Sequence, residues 1–115
     1  MARYTKKLEF SPRQRAAIKE RDGGCIFCKI GYRMEGALPF DLEIMSIMHY
    51  VPRSGLGLGI EENGAVGCQY HHNMLDNGSG GHRKEMLGIF ENYLRGIYPD
   101  WDVSRLRYDK WRQEE

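Results

Sequence analysis

The sequence has no long apolar run. No stretch approaches the roughly 20 apolar residues of a membrane-spanning helix, which argues against a membrane partner. The opening "MARYTKKLEF" carries basic residues with no apolar core behind them, so no secretory signal is expected and the protein is expected in the cytoplasm. A surplus of charge is also missing. Seventeen Lys and Arg against 16 Asp and Glu leave +1, which excludes a strongly basic coat protein and confines any basic surface to one face. Cysteine is scarce and odd in number, three in all, which argues against a paired disulfide framework. No internal repeat or low-complexity segment is present.

What remains is one small domain, 1–115, with 41% hydrophobic and 29% charged residues. A core at this length is thin, and a metal crosslink would help it. "SPRQRAAIKERDGG" predicts a helix: Ser11 as N-cap, Pro12 at the first helical position, Gln14 completing a capping box, and Gly23 or Gly24 as the stop. "CIFCKI" predicts a tight turn or hairpin, and 31–43 a loop. "EIMSIMHYV" predicts a strand covered on both faces and "GAVGC" a short return strand. "QYHHNMLD" predicts a helix stopped by "NGSGG". A last helix is expected over about 83–98, with Met86, Ile89, Phe90, Tyr93, Leu94 and Ile97 as its core stripe and Pro99 as its end. Trp101 and Trp111 are expected to fold back on the domain.

Cys25-x-x-Cys28 and Cys68-x-x-His71 are the two halves of a tetrahedral site. Thiolate and imidazole are the donors zinc prefers, and four of them close a structural site with no position left for reactive water. The two-residue spacing lets one turn present both donors to one ion. A single CxxC is weak, since redox turns carry it too, but nothing here has the strand–helix context of a redox motif. The expected role of Zn2+ is to tie the turn after the first helix to the start of a later one.

His49, Asn63 and His72 are left over. "CIFC", "HYVPRSGLGLG", "EEN" and "CQYHH", in that order over about 24–77, resemble the HNH endonuclease family, whose fold is the ββα-metal motif. The resemblance implies an α+β fold: a small ββα-metal core with a zinc knuckle, flanked by an N-terminal and a C-terminal helix. It implies a metal-dependent endonuclease hydrolysing DNA phosphodiester bonds. His49 would be the general base, Asn63 would hold the imidazole or its loop, and His72 would bind the catalytic metal at the start of a helix. Asp76 lies four residues after His72, on the same helix face, and reads either as a second ligand or as a surface carboxylate. An oxygen donor there favours Mg2+ or Mn2+. The family's small phage-borne members share this style.

One position departs from the pattern. The family carries Asp or His just before the general base as a further metal ligand, and this chain has Met48. A thioether is a poor donor for a hard cation, so Asp76, Asp41 or Glu43 would have to substitute, or the site binds without cleaving. The competing reading is therefore a zinc-knuckle module that binds nucleic acid or protein. Arg53, beside the base, is the candidate phosphate grip, with a loop-fixing salt bridge as its other reading. Arg13, Arg15, Lys19 and Arg21 on the first helix, and Arg83 and Lys84 on the last, read as solvated charges or as the frame of a groove. His82 reads as a surface residue. Backbone contacts without base readout imply low sequence specificity. Double-strand cleavage would call for a homodimer.

Overall fold

The computed structural model describes residues 7–77 and 81–109, so Trp111 lies outside the described residues. Helix α1 spans Pro12–Asp22. Ser11 caps it, its Oγ accepting from the Gln14 N–H at 3.2 Å. The reciprocal arm expected of the capping box is not made. Gln14 Oε1 instead accepts from the Glu61 N–H at 2.7 Å, tying α1 to a distant loop. Gly23, at φ 66°, closes α1 in the left-handed conformation that favours glycine.

The "CIFC" turn is one turn of helix, α2, Ile26–Lys29, with Cys25 as its N-cap. Part of the expected loop at 31–43 is helical: Pro39–Glu43 form α3, started by a proline whose missing N–H costs nothing at that position. Strand β1, Met45–His49, pairs antiparallel with β2, Gly64–Cys68, in the register Met45 to Cys68 and His49 to Gly64. Helix α4, Gln69–Asn77, follows β2 without a loop. Helix α5, Arg83–Ile97, packs against α4, and the chain then turns through a short 3-10 segment at Val103–Arg105. The result is a small α+β domain around a two-stranded sheet. Among the described residues no helix is long and apolar enough to cross a membrane.

Strand β1 is covered on both faces because it divides two apolar clusters. Met48 joins Phe27, Leu75, Met86, Phe90 and Leu94 in the larger, while Ile47 joins Phe10, Ile18 and Val66 in the smaller. The expected stripe of α5 is inward at Met86, Phe90 and Leu94 and only flanking at Ile89 and Tyr93. Ile97 departs from it: at the helix end it is 37% exposed and leaves the core. Trp101 folds back, buried, with Nε1 donating to the Glu62 carbonyl at 2.7 Å.

Arg21 does not behave as a solvated charge. Its guanidinium grips Asp22 at 2.6 and 3.1 Å, the Glu61 carbonyl at 2.9 Å and the Gly64 carbonyl at 2.7 Å. Burial alone would lower its pKa, but the bonds to Asp22 and Tyr98 hold it above the ordinary value. Asp22 is fully buried and accepts from the Val66 N–H at 2.8 Å and from the Tyr93 hydroxyl. Burial, and then the Asp22 carboxylate, push the Tyr93 hydroxyl up to about 12. This network joins α1, β2 and α5, and it orients the sheet that carries the residues described next.

Candidate functional site

Cys25, Cys28, Cys68 and His71 converge from the α2 turn and the β2–α4 junction, with donor atoms all within 4.8 Å of one another. His71 Nδ1 lies 3.7, 3.5 and 3.3 Å from the sulfurs of Cys25, Cys28 and Cys68, and the Cys28 and Cys68 sulfurs are 3.6 Å apart. A tetrahedral ion with Zn–S near 2.3 Å and Zn–N near 2.0 Å has edges of about 3.8 Å between sulfurs and about 3.5 Å between sulfur and nitrogen. The four donors therefore have the size of a zinc-like site.

Their supports fit as well. His71 is fully buried, and its Nε2 donates to the Tyr32 carbonyl at 2.6 Å, which leaves the Nδ1 lone pair toward the thiols. The Cys28 and His71 N–H groups donate to the sulfurs of Cys25 and Cys68 at 3.4 Å each. Burial raises the Cys25 thiol, but the His71 contact and the backbone bonds with Cys68, Cys28 and Phe27 together outweigh it and bring the pKa down to about 6. Burial and the neighbouring Cys25 charge push Cys28 up, and burial pushes Cys68 up as well. Crowded thiolates of this kind are what a divalent cation stabilises. The cluster is a candidate metal centre of the Cys3His type.

His72, one step further along α4, faces a different space. A cleft of about 610 Å³ is lined by Glu9, Phe10, Arg15, Ile47, His49, Pro52, Arg53, His72, Asp76 and Arg83. His49, His72, Asp76 and Arg53 thus share one cavity. His49 Nε2 lies 2.8 Å from the Leu8 carbonyl. A carbonyl can only accept, so Nε2 carries the proton and Nδ1 the lone pair when the ring is neutral. Burial is the main cause that holds the His49 pKa below its ordinary value. Arg53 and His72 act in the same direction, against the Leu8 bond and Asp76.

His72 Nε2 is 3.0 Å from an Asp76 oxygen, and its Nδ1 is 2.6 Å from Ser46 Oγ. With ligands at about 2.1 Å, the adjacent edge of an octahedral ion is also about 3.0 Å. The 3.0 Å separation is that of a direct histidine–carboxylate contact, and it would also admit a hard cation that keeps several waters. Asn63 sits outside the cleft. It is fully buried, accepts from the Val51 N–H at 2.7 Å, and donates to the carbonyls of Val51 at 3.1 Å and Leu58 at 2.8 Å. Of the two roles expected of it, it holds the loop after β1 and makes no bond to the imidazole.

Met48 is fully buried in the core and offers the cleft nothing. Neither Asp41 nor Glu43 lines the cleft, and Asp41 is held by Gln69 Nε2 at 3.1 Å. Arg15 and Arg83 do line it, and Arg83 is steadied by a bond to the Leu75 carbonyl at 2.6 Å. Sequence reasoning missed Ser46 and the segment from Leu8 to Phe10. A lone hydroxyl in an otherwise apolar strand was the signal for Ser46. No local pattern relates residue 8 to residue 49.

Comparison of the chain with protein-family models, with curated proteins and with solved structures found no match.

Proposed function

We propose that the protein is a metal-dependent endonuclease that hydrolyses DNA phosphodiester bonds in the cleft, on the HNH plan, with a structural zinc in the Cys3His centre. The observation that carries this reading is the shared cavity: a histidine with one nitrogen spent on a carbonyl, a His–Asp pair, and three arginines. In the reaction, water attacks phosphorus, its proton passes to His49 Nδ1, and the P–O bond on the opposite side breaks with the electron pair leaving on the sugar oxygen. Burial keeps His49 neutral near pH 7, so it is ready to accept that proton. His72 and Asp76 would hold a Mg2+ or Mn2+ ion. When bound, the ion supplies positive charge to the phosphate and the leaving oxygen. Arg53, Arg15 and Arg83 draw the anionic strand into the cleft, and the guanidinium fork suits two phosphate oxygens.

A second reading, binding without cleavage, is favoured by Met48. The position that supplies a further metal ligand in the HNH pattern is buried in apolar core here. A supercoiled-plasmid nicking assay with Mg2+ or Mn2+ separates the two. The nuclease reading expects nicking by the wild type and its loss in His49→Ala with zinc content and melting retained. Stoichiometric DNA binding, with wild type and His49→Ala equally inert in every divalent metal, would leave the binding module standing.

A further inference from the structure

Residues 7–10, just ahead of α1, alternate exposed and buried side chains. Leu8 and Phe10 are 5% and 7% exposed. The Lys7 carbonyl accepts from the Gly59 N–H at 2.9 Å, and the Leu8 carbonyl meets His49 Nε2 at 2.8 Å. The Phe10 ring lies over the imidazole with centroids 4.4 Å apart. Two glycines make room for this segment. A Cβ on Gly59 would stand 2.3 Å from the Glu9 carbonyl group, and a Cβ on Gly64 would stand 2.6 Å from the Phe10 ring. The second contact would be relieved by moving a side chain. The first meets backbone and would push the segment away.

Resting on the nuclease reading of the cleft, we propose that residues 7–10 are a positioning strap. The Leu8 carbonyl holds His49 in the Nε2–H tautomer and Phe10 sets the ring angle, so that Nδ1 is the nitrogen presented to water. Glu9 and Phe10 also line the cleft, but in this role the strap acts only through His49. A backbone carbonyl suits the task because it accepts a hydrogen bond and cannot donate one, so only one tautomer satisfies it. Without the strap, the ring is free to exchange tautomers and to turn about its side-chain bonds. The base is then correctly placed for only part of the time.

The test uses the full chain. The Gly24–Cys25 junction permits ligation of a synthetic 1–24 thioester to 25–115. The Leu8–Glu9 amide can therefore be replaced by an ester, which weakens the Leu8 carbonyl as an acceptor without changing a side chain. Gly59→Ala is the second variant, which displaces the strap by sterics. Each is refolded with zinc and checked for metal content. Nitrogen NMR of the His49 ring, assigned by the signal lost in His49→Gln, is expected to show Nε2–H alone in the wild type and a mixture in both variants. Positioned acid–base catalysis is worth roughly 10²–10⁴-fold, so kcat for nicking is expected to fall about tenfold or more, with KM within about twofold.

An Nδ1–H ring in the wild type overturns the proposal. So does an unchanged tautomer, with kcat within about twofold of the wild type, in the ester variant. If Gly59→Ala does not fold, the ester variant decides alone. If the wild type nicks no DNA with either metal, the nuclease reading fails, and the tautomer measurement still decides whether the strap positions His49.

Discussion

Replacing Asn63 by alanine separates a loop-holding role from a chemical one. The side chain is fully buried and makes three bonds to the main chain of the loop after β1: one accepted from Val51 N–H, one donated to Val51 O and one donated to Leu58 O. Asn63→Ala removes all three, while the backbone bonds of Asn63 to Tyr50 and Ile60 remain. Val51 is 3% exposed, so water cannot readily replace the lost acceptor for its N–H. A buried group stripped of its partner costs about 1–3 kcal/mol. One such N–H and two carbonyls, one of them near solvent, sum to about 3 kcal/mol with each taken at the low end of that range. For a domain a little above 100 residues each kcal/mol moves Tm by about 4 °C, so Tm is expected to fall by roughly 12 °C. Asn63→Asp keeps the acceptor but loses both donated bonds and buries a charge, so it should be no more stable than the alanine variant. Calorimetry or thermal circular dichroism on zinc-loaded protein measures both. Were Asn63→Ala to melt within about 3 °C of the wild type yet lose nicking, the loop would be self-supporting and Asn63 would belong to the chemistry.

Metal analysis is expected to find one equivalent of zinc. Its removal by a strong chelator should abolish the cooperative melt, because structural zinc contributes about 10–16 kcal/mol in small domains and total stability is about 5–15 kcal/mol; an unchanged melt after removal would deny the centre a structural role. Asp22→Asn strands the Arg21 charge in a buried network, and a loss of about 3–5 kcal/mol in urea titration is expected, with zinc content unchanged. His49 must be neutral to accept a proton and is neutral above its pKa, which lies below the ordinary 6.5. The acid limb of kcat/KM should therefore reach half its plateau below pH 6.5. Arg53 lowers this pKa while Asp76 raises it, with Glu9, Arg15 and His72 also in the cleft, so Arg53→Ala should move the limb upward. A wild-type limb centred above 6.5 would remove His49 as the base.

Much of this molecule is written in short-range patterns. Ser11, Pro12 and Gly23 delimit α1 within a turn of its observed ends, and the apolar spacing of α5 selects Met86, Phe90 and Leu94 for the core. Cys-x-x-Cys and Cys-x-x-His are legible because each pair lies within one turn of chain. The neighbours His71 and His72 diverge to a metal centre and a cleft because a helix rotates each residue about 100° from the last. The short helix α3 was not legible, since five residues of mixed character carry too little periodicity.

What the tertiary structure alone decided are the pairings across long stretches of chain. Of the arginines on α1, Arg15 lines the cleft while Arg21 turns inward to Asp22, Glu61 and Gly64. Gln14 leaves its expected cap for Glu61, Ser46 finds His72, and the Leu8 carbonyl finds His49. Local rules depend on backbone geometry repeated every few residues, so the sequence by itself determines the longer helices α1, α4 and α5, the two strands and the donor pairs. Which polar groups meet across the fold depends on how apolar surfaces close over them. That closure leaves each buried donor and acceptor only the partners that packing brings within reach.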